Sequence, residues 1–214
     1  MNKRLRILAI NPNSDENTCI KMRNTVEKFV GGEYDVDVVR LKTAPILVLS
    51  YEDHITALDE LCNLVRQSKD KYDAFIIACH SDPNLELIRE LTKKPVVGIA
   101  EASMKLASSM GNGFAVISPS PKSVSKKFAL AHKYHLRDFL KTVVVTKSDS
   151  PEDLLKAAEE AMKTPCVDAI VLGCANYTGA DAYIEQRLGI PVIDGFAGAL
   201  FMAAGLARYQ RYKS

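Results

Sequence analysis

Tyr72-Asp73-Ala74-Phe75-Ile76-Ile77-Ala78-Cys79 and Val167-Asp168-Ala169-Ile170-Val171-Leu172-Gly173-Cys174 are one pattern written twice. Each copy places an aspartate before a short apolar run and a cysteine at its end. The echo continues downstream, where Pro95-Val96-Val97-Gly98 follows Cys79 at nearly the spacing with which Pro191-Val192-Ile193-Asp194 follows Cys174. Apolar runs this short read as strands buried on both faces, the kind found in parallel sheets. The duplication predicts two similar lobes. Two lobes that each bring a thiol from a strand end to one cleft predict two-thiol proton transfer.

Outward from these copies the same alternation recurs. Further apolar runs lie at 6–10, 35–40, 96–98, 114–117, 143–145 and 191–193, with helical patterns between them. Ser150-Pro151-Glu152-Asp153 combines an N-cap serine, proline at N1 and early acids, and predicts a helix over 151–162. Ser81-Asp82-Pro83 and Thr178-Gly179-Ala180-Asp181 predict helix starts directly after the two cysteines. Strand and helix in alternation predict an α/β fold: two similar lobes, each a parallel sheet flanked by helices, related by pseudo-two-fold symmetry. The first lobe is expected to comprise 1–98 plus 196–214, and the second 99–195. Ligands in such folds sit at the carboxyl ends of the strands, which is where both cysteines fall.

The bulk properties remove several function classes. The 214 residues are 47% hydrophobic and 25% charged, an ordinary globular composition. Lys plus Arg total 28 against 26 Asp plus Glu, too even a balance to steer nucleic acid or an anionic membrane. The first apolar run stops at Asn11, far short of a secretory h-region. The apolar stretch 196–207 is interrupted by Gly198 and Gly205 and is shorter than the roughly 18 residues of a membrane span, so it reads as a buried helix. That Ala/Gly-rich stretch suits a homo-oligomer interface as readily as a core. The five cysteines are odd in number and form no CxxC pair, which argues against a zinc ribbon or disulfide framework and for reduced thiols in a cytoplasm.

Cys19, Cys62 and Cys166 read as small apolar fillers. Cys79 and Cys174 differ, because a strand end that meets a helix start offers backbone N–H groups and a helix dipole to a thiolate. A model thiol titrates near about 8.5, so such a setting is needed to supply thiolate at neutral pH.

Asn11-Pro12-Asn13-Ser14, Ala78-Cys79-His80-Ser81-Asp82-Pro83, Pro95-Val96-Val97-Gly98-Ile99-Ala100-Glu101-Ala102, Val171-Leu172-Gly173-Cys174-Ala175 and Ile190-Pro191-Val192-Ile193-Asp194-Gly195 together resemble the hydantoin racemase branch of the aspartate/glutamate racemase superfamily. The resemblance spans nearly the whole chain. It implies a cofactor-independent 1,1-proton transfer on a small molecule, a 5-substituted hydantoin or allantoin, without metal, nicotinamide or pyridoxal phosphate. Cys79 and Cys174 take the two acid–base roles by motif. Chemistry agrees, since racemisation needs an acid and a base on opposite sides of one carbon. The enolate oxygen also needs fixed donors, and the backbone N–H groups of His80, Ser81 and Ala175 are candidates, with Ser118 as a hydroxyl donor. Asn176-Tyr177 stands where hydantoin-type members tend to carry Gly-Met, and His80 where they tend to carry an aromatic.

Asn11 and Asn13, at the end of the first strand, either cap the helix after Ser14 or face the pocket. Val48 is a candidate apolar pocket wall, and Asn176 completes the substrate-binding set. His80 either tunes Cys79, donates to substrate, or is a solvated or capping loop residue. His132 and His135 share a helical face without a third metal ligand. Asp73 and Asp168 sit at strand entrances and read as turn or capping residues. Two rival functions stay open: an amino-acid racemase of the aspartate/glutamate type, and a non-catalytic ligand-binding or thiol-redox protein on the same scaffold.

Overall fold

The computed structural model describes residues 4–29 and 34–213. Strand and helix alternate as β1 Leu5–Asn11, α1 Glu16–Phe29, β2 Tyr34–Arg40, α2 Tyr51–Thr56, α3 Leu58–Ser68, β3 Ala74–Ile77, α4 Leu85–Leu91, β4 Val96–Gly98 and α5 Ile99–Ser108. The second half continues with β5 Phe114–Ser118, α6 Val124–Lys133, β6 Leu140–Val145, α7 Pro151–Ala161, β7 Ala169–Leu172, α8 Asp181–Leu188, β8 Val192–Asp194 and α9 Gly195–Tyr212. The chain divides into two compact units, Met1–Ile99 with Ala199–Ser214, and Ala100–Gly198. Each contains one four-stranded parallel sheet, ordered β2-β1-β3-β4 in the first and β6-β5-β7-β8 in the second. The repeat in the sequence is therefore a repeat in topology.

Both sheets are covered on their faces, and the second shows how. Phe114, Val116, Ala169 and Val171 pack with Met104, Leu130 and Ala131 on one side, while Ala115, Ile117, Ile170 and Leu172 pack with Leu154, Ala158 and Ile184 on the other. Adjacent strand residues point to opposite faces, so a run buried on both must be apolar throughout. In the first unit Leu8, Ile10, Phe75 and Ile77 join Leu61, Val65, Leu85 and Ile88. Burying each such side chain contributes about 1.5–3 kcal/mol.

Helix ends follow their local chemistry in part. Ser150 accepts a bond from the Asp153 backbone N–H with Pro151 at N1, and α7 starts as the sequence predicts. Ser50 and Asp53 form a reciprocal capping box on the short α2. The helix start expected at Ser81-Asp82-Pro83 is displaced, while α8 begins at Asp181, inside the expected 178–181 signal. Cys79 to Asp82 forms a turn closed by Asp82 N–H to Cys79 O at 2.9 Å, and Asp82 and Asn84 both adopt left-handed backbone, so α4 begins only at Leu85. After Cys174 comes a single 3-10 turn over Ala175–Tyr177. Thr178 does not cap α8, because its hydroxyl donates to Asp194 instead.

Three other expectations are corrected. β2 and β6 are edge strands and only partly buried, whereas the opposite edges β4 and β8 are buried. The helix over 196–207 is not buried all round: Phe201 is 65% exposed, and it packs edge-on to Phe29 at 4.8 Å. His135 lies beyond the end of α6 with φ of 60°, so it does not share a helical face with His132. Among the described residues, no three His, Cys, Asp or Glu side chains gather as metal ligands, and no helix is long and apolar enough to cross a membrane. Asp73 and Asp168 act alike at the strand entrances, accepting the backbone N–H of Arg6 and Asn112 respectively.

Candidate active site

In each unit the strand order reverses its winding between the two central strands, at β1/β3 and at β5/β7. Carboxyl ends diverge at such a point and leave a crevice for ligand. Ala78 N–H donates to Ile10 O at 2.8 Å and Gly173 N–H to Ile117 O at 2.8 Å, so both copies leave the sheet in the same register. The next residues are Cys79 and Cys174. Asn11 ends β1 and Ser118 ends β5, each one residue past the carbonyl that accepts from Ala78 or Gly173.

Around Cys79 the turn folds the chain back on itself. The half-buried thiol lies 3.2 Å from Ser81 Oγ, and Ser81 Oγ lies 3.0 Å from His54 Nε2. Asn84 Nδ2 donates to His54 O at 2.8 Å and ties α2 to the same turn. His80 is buried. Asn11 is wholly buried; its Nδ2 donates to Asp15 O and to Cys19 Sγ, which fixes the amide orientation, and its Oδ1 has no hydrogen-bond partner. Asn13 Oδ1 accepts from Asp15 N–H, and Asp15 in turn caps α1 through Thr18 N–H. Leu41 N–H donates to both Asn11 O and Asn13 O, lacing the segment that leads to the buried Val48 onto this loop.

Around Cys174 the supports differ. Lys127, 3% exposed, donates from Nζ to Gly173 O at 2.8 Å, on the peptide that precedes the thiol. Tyr177 is also buried; burial first, then the charges of Cys174 and Asp149, push its phenol far above the usual range, so it stays neutral. Ala175 is buried in the 3-10 turn, and Asn176 Nδ2 donates to Asp149 Oδ2 at 2.7 Å. The Ser118 hydroxyl is wholly buried and engaged with Ser123 Oγ at 2.7 Å and with Ser120 O, so in this conformation it serves its own turn.

The five cysteines separate by environment, and none is in a disulfide. Burial pushes the Cys19 and Cys62 thiols up, which keeps them protonated fillers. Cys166 is exposed, and Cys79 and Cys174 are intermediate.

The family model described as Asp/Glu/Hydantoin racemase matches residues 7–203, which include all of both sheets except the first two residues of β1. The chain belongs to the Asp/Glu/hydantoin racemase family. That membership makes it a racemase, an isomerase. It is 28% identical to a hydantoin racemase of Paenarthrobacter aurescens, over 98% of this chain and 95% of that protein. It is 30% identical to a hydantoin racemase of Pseudomonas sp. (strain NS671), over 92% of this chain and 84% of the other. An allantoin racemase from Klebsiella pneumoniae shares the fold, with a TM-score of 0.90 at 23% identity over 96% of this chain and 89% of that one.

His54, Lys127 and the neutral Tyr177 escape a reading of the sequence. The Ser50-x-x-Asp53 capping signal announces the helix that carries His54, but not that it meets a serine 27 positions later. Nothing in the local pattern distinguishes Lys127 from its exposed neighbours.

Gly173 gives a direct test of the second thiol's placement. A Cβ there would lie 2.4 Å from Ile117 O and 2.6 Å from Val116 Cγ1, so the backbone itself must yield. Gly173→Ala is expected to cost about 1–3 kcal/mol of stability, as overpacking does. The displacement of Cys174 is expected to lower turnover by about 10²-fold. A thermal melt and an initial-rate assay check both, and a variant with native rate would show that Cys174 tolerates the shift.

Proposed function

We propose that the protein racemises a 5-substituted hydantoin or a related cyclic ureide such as allantoin, using Cys79 and Cys174 as paired acid and base without a cofactor. The observation that carries this reading is the matched position of the two thiols, each leaving the sheet in the same register at its unit's switch point. One cysteine, as thiolate, takes the hydrogen from the carbon beside a carbonyl. The electron pair moves onto the carbonyl oxygen as an enolate, and the other cysteine, as thiol, returns a proton to the opposite face. Each group contributes about 10²- to 10⁴-fold as a general acid or base.

Asn11 bears on the substrate class. A buried amide oxygen without a donor costs about 1–3 kcal/mol, and a ureide N–H that reached it as the 11–15 loop moved would satisfy it. The same oxygen repels a carboxylate. Asn13, Val48, His80, Ser81, Ser118, Ala175 and Asn176 make up the rest of the proposed binding set, with backbone N–H groups of His80, Ser81 and Ala175 as enolate donors.

Polarimetry on resolved hydantoins, allantoin, aspartate and glutamate, with metal chelator present throughout, tests the proposal. Turnover of at least one hydantoin or allantoin, undiminished by chelator, is expected. Turnover of aspartate or glutamate alone would move the substrate to the amino-acid class, and loss on chelation would overturn the cofactor-free mechanism.

A further inference from the structure

The proposed mechanism leaves unused a buried imidazole that reaches a thiol through one hydroxyl. His54 is 8% exposed, and the path runs from its Nε2 to Ser81 Oγ at 3.0 Å and on to Cys79 Sγ at 3.2 Å. Its seat is built rather than incidental. The Ser50/Asp53 capping box fixes the helix, the Tyr51 ring stands edge-on at 5.5 Å, and Asn84 grips the His54 carbonyl.

We infer that His54 is a positioning residue that sets the protonation state of Cys79 through the Ser81 hydroxyl. The inference rests on the reading of Cys79 as an acid–base thiol. The chain of bonds has two orientations. In one, the Cys79 thiol donates to Ser81 Oγ and the Ser81 hydroxyl donates to a neutral His54 Nε2. In the other, a protonated His54 donates to Ser81 Oγ and the Ser81 hydroxyl donates to the Cys79 thiolate. Passing between them moves one proton from sulfur to the serine oxygen and one from that oxygen to Nε2. Atoms and charge balance, since a neutral thiol and imidazole become a thiolate and an imidazolium.

Such a relay answers a need of two-thiol catalysis. After each turnover the two cysteines have exchanged protonation states, and a relay gives Cys79 a route to restore its own without waiting for the reverse reaction. The device belongs to Cys79. Two residues past Cys174 stands Asn176, with its amide on Asp149, and Lys127 Nζ donates to Gly173 O beside that thiol.

Among the other ionisable groups on α2 and at the start of α3, Glu52 is exposed. Asp53 of the same helix accepts from the backbone of Leu49 and Ser50, and Glu60 of α3 accepts from Lys42 and Thr43. Tyr51 on α2 offers its ring, and from the 79–84 turn come His80 and Asp82, both buried, and the uncharged Asn84 amide.

The test is iodoacetamide alkylation of the full chain, followed at each cysteine by peptide mapping from about pH 5 to about pH 10, the range that brackets thiol titration. His54→Gln, which keeps hydrogen bonding but does not titrate, is expected to slow labelling of Cys79 about tenfold at neutral pH and to move its midpoint upward. Ser81→Ala is expected to do the same, and the double variant to be no slower than the slower single, since one path is cut once. The Cys174 profile should hold in all three. An unchanged Cys79 profile in His54→Gln, or losses in the two single variants that multiply in the double, would overturn the relay. Equal slowing at Cys79 and Cys174 would overturn it too, by marking a general disturbance. Because the readout needs no substrate, a protein that failed every racemase assay yet showed the Cys79 response would lose the proposed reaction and keep the relay.

Discussion

Cys79→Ser and Cys174→Ser are each expected to abolish racemisation while leaving exchange of one enantiomer's α-hydrogen intact. A serine hydroxyl is too weak an acid to stand in for a thiol near neutral pH, so the loss is expected to reach at least about 10²- to 10⁴-fold, the usual worth of one general acid or base. The remaining cysteine still faces the enantiomer whose hydrogen it removes. In deuterated buffer, Cys79→Ser should therefore wash out the hydrogen of one enantiomer with retention, and Cys174→Ser that of the other. Proton NMR on resolved enantiomers that exchange slowly without enzyme reads this directly. Exchange of the same enantiomer by both variants, or near-native racemisation by either, would return these cysteines to a structural role.

Asp194→Ala is expected to be the most damaging change outside the thiols. This carboxylate, 4% exposed at the end of β8, accepts from Phe196 N–H at 2.8 Å, Ala197 N–H at 3.3 Å, Thr178 Oγ1 at 2.6 Å and Gly179 N–H at 2.9 Å. It caps the first turn of α9 and fixes the loop that follows Cys174. Removing it strands several buried donors at about 1–3 kcal/mol each, so a loss of about 3–5 kcal/mol is expected after relaxation. For a chain of this size that lowers the melting temperature by about 10 °C. Asp194→Asn should fall between, because its Nδ2 would meet the Gly179 N–H as donor against donor. Calorimetry on both variants decides; an Asp194→Ala protein that melts within a degree or two of native would show that the four donors find other partners.

The first unit reaches a similar end by a different route, visible only in three dimensions. Where Asp194 stands in the second copy, the first has Gly98, and a Cβ at Gly98 would lie 2.4 Å from the Asp82 carboxyl carbon. A carboxylate thus occupies the region at the end of the fourth strand in both units, supplied by that strand in one and by the turn after the cysteine in the other. Alignment of the two halves as text reads Gly98 and Asp194 as a mismatch. The mismatch is a change in which segment supplies the carboxylate.

The sequence by itself determined the strands, their parallel pairing, the duplication and the place of the two cysteines at strand ends. These depend on properties local to a short stretch: the length of an apolar run, the residues that bound it, and the repetition of both. A strand covered on both faces must be apolar along its length, so its pattern survives whatever packs against it. Tertiary structure alone decided what surrounds each thiol. His54 reaches Ser81 across 27 residues, Lys127 reaches Gly173 across 46, and Thr178 turns to Asp194 rather than to its own helix. A hydrogen bond between distant residues leaves no periodic trace in the chain. Its partners are chosen by where the backbone ends in space, and a polar group that local rules assign to a cap will leave it when a buried carboxylate needs its proton more.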